Sequence, residues 1–297
     1  MQILKKVNLC IDLINRIAKY DKMKRVCVIA FGGGVVGDLA GFVAAVYKRG
    51  VPYVQLPTTL LAQADSAIGG KVAVDLKIGK NLVGAFYQPG LVISEIDFLS
   101  TLPGRQVRAG IAEIIKYGVI GDAGLFGFIE KNIQKLLRLD KKALEFVVER
   151  SSRIKASVVA KDERDTLGIR AVLNYGHTIG HAVETATGYS GTYSHGEAIS
   201  IGMAAANHIA VESGLLSGPQ NTRIIKLLSG AGLPVFAKRL SAAGIYAAHL
   251  RDKKFIHGKN RFVLPIKIGK VKVVEGIPEK TIRKAINLIC GGRIDGH

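Results

Sequence analysis

An open α/β sheet followed by a mostly helical region is the fold class that this sequence predicts, and three observations predict it. Residues 25–31, RVCVIAF, form a short β-branched apolar run that ends in glycines. A glycine-rich turn and a helix lead from that run to a second one at 51–57, the spacing of a parallel β-turn-α-β crossover. Beyond Thr101-Leu102-Pro103, strand-length runs give way to apolar residues at helical spacing.

Taken in order, residues 1–22 place Leu4, Val7, Ile11, Ile14, Ile17 and Ala18 on one helical face. Residues 25–31 then read as a buried strand. The stretch from Gly32 to Gly50 reads as a turn that opens a helix ending near Arg49, and VPYVQLP at 51–57 as the next strand. A third strand is expected at 91–96. Pro103-Gly104 marks the boundary between an α/β domain at 1–102 and a mostly helical domain at 103–297. Helices are expected over 105–119, 122–138, 140–161, 170–187, 195–213 and 220–231, with turn residues such as Gly121, Asp140, Gly188 and Gly214 between them. Alternation over 262–276 around Ile268-Gly269-Lys270 predicts a small hairpin. A nucleotide-binding sheet rarely begins with a helix, so further strands are expected upstream of Met1.

Composition narrows the function classes. The chain has 297 residues, 48% of them hydrophobic and 22% charged, which is enough to bury a core. Three cysteines without a Cys-x-x-Cys pair exclude a disulfide framework and predict a reducing, cytoplasmic setting. A charged leader with an apolar stretch is absent, as is any run of 18 apolar residues, so neither export nor a membrane partner is expected. The net charge of +19 predicts an anionic partner. Phosphate-bearing metabolites fit it better than nucleic acid, because basic and aromatic residues are not interleaved and no binding motif is present.

Chemistry is concentrated in a few segments. Gly32-Gly33-Gly34-Val35-Val36-Gly37 satisfies G-x-G-x-x-G between a strand and a helix, where backbone can approach a pyrophosphate at a helix N-terminus. The ribose-binding acid expected about 20 residues further on is missing. Asp38 follows the last glycine, where the helix dipole favours an acid. Thr58 and Thr59 lie just past a strand's C-terminal end, where open α/β sheets place ligands. Gly70-Lys71 and Gly79-Lys80-Asn81 follow them; they read either as anion cradles or as solvated surface lysines. Asn174-Tyr175-Gly176-His177-Thr178-Ile179-Gly180-His181 puts two histidines on one helical face, and His195 follows at a helix start. Three histidines in 19 residues flanked by glycines favour a metal site, with zinc-like donors, or an acid–base site over packed core histidines, and spacing leaves open which pair of the three would bind a metal. The zincin glutamate is absent. Glu113 and Lys116, on an otherwise apolar helix, read on their own as snorkelling edge residues.

Together these segments resemble the 3-dehydroquinate synthase family of sugar phosphate cyclases. The resemblance rests on GGGVVGDLAGF, RGVPYVQLPTTLLAQADSAIGGK, GKNLVGAFYQP, TLPGRQVRAGIAEIIKYG, IKASVVAKDE, LNYGHTIGHAVE, HGEAISIGM and Asp252-Lys253-Lys254, all in family order. It implies a Rossmann-like first domain, a helical second domain, a cleft site and a homodimer. It implies Glu113, His177 and His195 as ligands of zinc or cobalt, which replaces the edge reading of Glu113. It assigns NAD to Gly34, Val35, Val36, Gly37, Asp38, Thr58, Thr59, Lys71, Lys80 and the segment Phe98, Leu99, Ser100 and Thr101. Substrate contacts fall to Asp65, Lys71, Asn81, Lys116, Lys155, Arg170, Asn174, His181 and Lys253, with Arg49 reaching the phosphate across a dimer interface. Lys71, Lys116, Lys155, Asn174 and His181 would carry the catalysis.

The implied reaction converts 3-deoxy-D-arabino-heptulosonate 7-phosphate into 3-dehydroquinate and phosphate by transient oxidation, β-elimination, reduction and an intramolecular aldol step. Two departures stand out. The family carries two β-α units upstream of the first strand, which hold the adenosine half of NAD, and this sequence has no such positions. The first domain therefore reads as truncated, with metal binding expected to persist and NAD binding to be poor. Val72-Ala73-Val74-Asp75 also stands where Thr-Gly-Val-Asn is commoner, which keeps valiolone- and inosose-forming cyclases as one alternative, an inactive truncated fragment being the other.

Overall fold

The computed structural model describes residues 5–22, 25–76, 79–251 and 260–291. Helix α1 (Val7–Tyr20) precedes strand β1 (Val28–Gly32), helix α2 (Gly34–Val46) and strand β2 (Tyr53–Pro57). β1 and β2 pair in parallel, with Val28 opposite Tyr53 and Gly32 opposite Pro57. α2 is the crossover between them, and its Leu39, Val43 and Ala44 are buried. A third parallel strand, β5 (Leu91–Val92), pairs with β2. It is shorter than the predicted 91–96: regular pairing ends at Val92, and a 3-10 turn follows over Ile96–Leu99. The Gln63 side chain pins that turn by donating to the Glu95 carbonyl at 2.7 Å. The opposite face of the sheet shows Ile29 (63%) and Phe31 (60%) to solvent.

The segment that carries the two Gly-Lys steps is an antiparallel hairpin, β3 (Lys71–Leu76) and β4 (Gly79–Phe86). Its signal was the strand alternation of Val72 and Val74, both buried, with outward neighbours. Gly41 lets α2 lie against it, since a Cβ there would meet Val72 Cγ1 at 2.4 Å. α1 covers the same side by packing Cys10 against Leu39, Val43 and Val74.

The helical region begins with α3 (Gly104–Gly121), which α4 (Ala123–Leu137), α5 (Lys141–Lys161) and α7 (His195–Glu212) surround. Ile111, Ile114 and Ile115 of α3 are fully buried. Each contributes about 1.5–3 kcal/mol by burial, so α3 cannot rotate to bring its charged residues out to water without losing several times that. The predicted helix at 170–187 is divided in two. A 3-10 turn over Ile169–Asn174 ends before Gly176, whose φ of +81° breaks the run, and α6 (His177–Ala186) starts there. After α8 (Gly218–Gly230) come α9 (Ala242–Leu250), the predicted hairpin as β6 (Arg261–Lys267) with β7 (Lys270–Glu275), and α10 (Glu279–Gly291). Sequence reasoning did not single out α9 or α10. Among the described residues no helix is long and apolar enough to cross a membrane.

Candidate active site

Three helices bring the candidate metal ligands together, and glycines let those helices approach. A Cβ on Gly202 of α7 would lie 1.8 Å from the Gly176 carbonyl oxygen and 2.6 Å from the Gly180 nitrogen, so α6 and α7 meet backbone to backbone. A Cβ on Gly196 would lie 2.4 Å from Ala109 of α3. The start of α7 is held by a capping box, in which the Glu197 backbone N–H donates to Ser194 Oγ and the Ser194 N–H to the Glu197 carboxylate. Arg105 of α3 clamps the same carboxylate through Nε and also donates to the carbonyls of Gly191 and Thr192.

His177 and His195 are the first residues of α6 and α7, and Glu113 lies midway along α3. Each offers one ligand atom, all within 4.8 Å of one another. Glu113 Oε1 is 3.6 Å from His177 Nε2 and 3.3 Å from His195 Nε2. It is buried and accepts no hydrogen bond of regular geometry. A fully buried carboxylate facing two imidazole nitrogens, with a donor set of one oxygen and two nitrogens, fits a zinc-like divalent ion. The edge reading of Glu113 and Lys116 is therefore corrected: Glu113 is 0% and Lys116 2% exposed.

Beside this triad lies a buried charge cluster. Lys116 Nζ is 2.5 Å from Glu113 Oε2 and 4.0 Å from Asp65 Oδ1. Lys155 Nζ is 2.6 Å from Asp65 Oδ1 and donates to the Asp65 carbonyl at 2.8 Å. The Tyr117 hydroxyl also donates to Asp65. Asp65 reaches this spot because the chain after β2 winds into a π-helical turn over Ala62–Ser66.

Burial alone would raise the Asp65 carboxyl, yet Lys116 and Lys155 hold it down at about 2. Glu113 is driven well below the carboxylate range, against burial, by Lys116, His177 and His195. The two lysines diverge. Burial would lower Lys116, but Asp65 and Glu113 raise it; burial prevails at Lys155, which is lowered. Loss of solvation would lower His195, but Glu113 and Glu184 outweigh it and raise it to about 10. Glu184 is lowered, against burial, chiefly by His195.

His181 stands one turn beyond His177, with ring centroids 5.4 Å apart, and 6.3 Å from the His195 ring. Asn174 ends the turn before His177. Arg170 is buried, its Nη1 donating to the carbonyls of Gly69 at 3.2 Å and Glu163 at 2.8 Å. Its segment is pinned by Asp162, whose carboxylate accepts from the N–H groups of Thr166, Leu167 and Ile169. Lys71 pairs with Asp165 at 2.5 Å, and Lys80 Nζ lies 3.9 Å from the Tyr189 ring centroid. These two lysines stand on the paired strands of a hairpin, Lys71 at the start of β3 and Lys80 near the start of β4. Arg49 is exposed with φ +64°. Lys253 lies outside the described residues.

The glycine turn between β1 and α2 has no room for side chains. A Cβ on Gly33 would meet Thr59 Cγ2 at 2.9 Å, and one on Gly34 would meet Ser66 Oγ at 2.8 Å. Ser66 Oγ is itself buried without a hydrogen-bond partner. Close backbone and an unpaired hydroxyl at a helix N-terminus fit a dinucleotide phosphate. Thr58 donates its N–H to the Gly32 carbonyl at 3.0 Å, and Thr59 Oγ1 accepts from Ala62 at 3.2 Å. In the segment from Phe98 to Thr101, Leu99 is fully buried, so its side chain belongs to the core. Asp38 and Asn81 are joined by a residue that sequence reasoning missed, Lys5, whose ammonium bonds to both. Glu184 was missed as well; its signal was its place seven residues after His177, two helical turns along the same face.

Residues 2–109 match the family model "3-dehydroquinate synthase N-terminal" and residues 110–255 match "3-dehydroquinate synthase C-terminal". A curated 3-dehydroquinate synthase of Desulforamulus reducens is 54% identical over 256 residues, covering 86% of this chain and 71% of that protein. Among solved structures, the 2-epi-5-epi-valiolone synthase ValA of Streptomyces hygroscopicus subsp. jinggangensis, with NAD+ and Zn2+ bound, superimposes with a TM-score of 0.89 at 27% identity, over 99% of this chain and 81% of that one. A 2-deoxy-scyllo-inosose synthase complexed with carbaglucose-6-phosphate, NAD+ and Co2+ gives 0.86 at 29% identity, over 96% and 80%.

Proposed function

Because this chain belongs to the 3-dehydroquinate synthase family, we propose that it converts 3-deoxy-D-arabino-heptulosonate 7-phosphate into 3-dehydroquinate and inorganic phosphate, a carbon–oxygen lyase reaction. The observation that carries the reading is the meeting of Glu113, His177 and His195 beside the Asp65–Lys116–Lys155 cluster. The 54% identity to the Desulforamulus protein favours it over valiolone or inosose formation, whose enzymes stand at 27% and 29%.

When bound, the metal would polarise the C5 oxygen and NAD would take up and return a hydride at C5, so neither is consumed. Glu113, His177 and His195 hold the metal, zinc by donor set and cobalt as a substitute. Gly34 to Asp38, Thr58, Thr59, Lys71, Lys80 and the backbone from Phe98 to Thr101 hold the dinucleotide. Lys155, with its lowered affinity for a proton, is the group suited to move one between substrate hydroxyls, while Asp65 orients it. Lys116 keeps its proton and holds Glu113 and Asp65 apart as paired carboxylates. Lys155, Arg170, Asn174 and His181 suit the carboxylate-bearing end of the substrate, and Asn81 is a further substrate contact. In the elimination the C6 proton passes to an oxygen of the substrate's own phosphate, the C6–H electron pair forms the C6–C7 double bond, and the C7–O bond breaks with its electrons leaving on that phosphate. Cationic side chains at the carboxylate and phosphate ends of the sugar supply orientation and charge. A homodimer, with Arg49 of one protomer serving its partner's phosphate, and a cytoplasmic setting complete the proposal.

Phosphate release measured with the heptulosonate phosphate and with sedoheptulose 7-phosphate, side by side with NAD and zinc, tests it. Turnover of the carboxylated sugar is expected, and turnover of sedoheptulose 7-phosphate alone would assign the chain to the valiolone-type cyclases.

A further inference from the structure

His177 and His195 present the same nitrogen, Nε2, to Glu113, but their Nδ1 atoms are held differently. His177 Nδ1 is 3.2 Å from the backbone carbonyl of Tyr175, an acceptor fixed by the turn before α6. His195 Nδ1 is 3.4 Å from Oε1 of Glu184. Its orientation therefore depends on a side chain, and its ring lies between two carboxylates, Glu113 on the metal side and Glu184 behind. The Glu184 side chain is only 15% exposed, against 36% for His195. Its backbone is anchored as well, because its carbonyl accepts from Thr187 Oγ1 at 2.8 Å and from the Tyr189 N–H at 3.1 Å. A carboxylate placed there selects the Nδ1–H tautomer, leaves the Nε2 lone pair for a metal, and makes the ring a stronger donor.

We propose that Glu184 is a positioning residue of the metal centre, which orients His195 through Nδ1 and fixes it as an Nε2 ligand. This rests on the reading of Glu113, His177 and His195 as the metal site. It also explains why His195, the most exposed of the three, can serve as a ligand: what it lacks in packing, the Glu184 contact supplies. His195 opens α7 and Glu184 lies in the last turns of α6, so the contact also ties the two ligand-bearing helices together on the side away from Glu113.

The test is competitive titration of zinc against a chromophoric chelator in metal-stripped wild-type protein, Glu184→Ala, Glu184→Gln and Glu113→Gln. Glu184→Ala is expected to weaken zinc binding about 10–100-fold. Glu184→Gln should fall between it and wild type, since the amide oxygen still accepts from Nδ1–H but carries no charge. In zinc-loaded wild-type protein, 15N NMR of His195 should show a protonated Nδ1. Wild-type zinc affinity in Glu184→Ala, or a metal-bound Nδ1, would overturn the inference while leaving the metal site in place. If Glu184→Ala does not fold, the Gln variant and the NMR signal decide. Zinc binding unaffected by Glu113→Gln would instead remove the metal reading on which the inference stands.

Discussion

Lys155 grips Asp65 twice, with one ammonium 2.6 Å from its carboxylate and 2.8 Å from its main-chain carbonyl. Those two contacts bridge the π-turn after β2 to α5, and so tie the α/β part to the helical part at the point where the chemistry is proposed. Since burial lowers Lys155 while Lys116 is raised, Lys155 is the more easily deprotonated of the two lysines in the cluster. Lys155→Arg keeps the charge but cannot deprotonate. The expected result is a loss of about 10²–10⁴ in kcat with little change in zinc affinity. Steady-state phosphate release combined with zinc titration measures both.

Lys116→Met leaves Glu113 and Asp65 buried with less compensation. Breaking a buried pair in this way costs about 3–5 kcal/mol. Bound zinc would offset part of that loss by neutralising Glu113, so the metal-free variant should lose more stability than the zinc-loaded one. Denaturant unfolding of both forms checks this, and equal losses would contradict the assignment of Glu113 as a ligand.

Gly202→Ala forces a methyl group into the Gly176 carbonyl, 1.8 Å from the ideal Cβ position. Overpacking of this kind costs about 1–3 kcal/mol or more, and here it also pushes away the turn that carries His177. Lower Tm and weaker zinc binding are expected together. Gly127→Ala is the control: its Cβ would meet nothing within 4 Å inside α4, so it should stabilise by about 0.5–1 kcal/mol.

The two carboxylates around His195 set the direction of a pH effect. In the metal-free protein His195 is raised to about 10, so its contribution to stability is fully present below the unfolded value of about 6.5 and is lost as pH rises through about 10. Zinc must displace that proton. Zinc affinity should therefore rise with pH across the neutral range, with release of about one proton near pH 8. Calorimetry in buffers of different ionisation enthalpy reads the proton count directly.

Much of the fold was legible because its signals are local. The strand–turn–helix–strand unit from Val28 to Pro57 and the helices from Gly104 to Glu212 follow from glycine placement and apolar spacing. The β3–β4 hairpin was not, because its two Gly-Lys steps read as loop punctuation while the alternating Val72 and Val74 passed unnoticed. In the site, Glu113 looked like an edge charge until the motif order placed it. Its burial depends on α5 and α7 covering α3, and nothing in the spacing of α3 alone encodes that. Lys5 was missed because it acts on residues far along the chain, Asp38 and Asn81, and Glu184 because its partner His195 lies on the next helix.

The central claim is that residues from three helices form one metal centre next to the Asp65–Lys155 pair. The most direct test is anomalous diffraction at the zinc edge from crystals of metal-stripped protein reloaded with one equivalent of zinc. One peak is expected, about 2.0–2.2 Å from Glu113 Oε1, His177 Nε2 and His195 Nε2. A crystal with no peak among those atoms, or with its zinc bound elsewhere, would contradict the account.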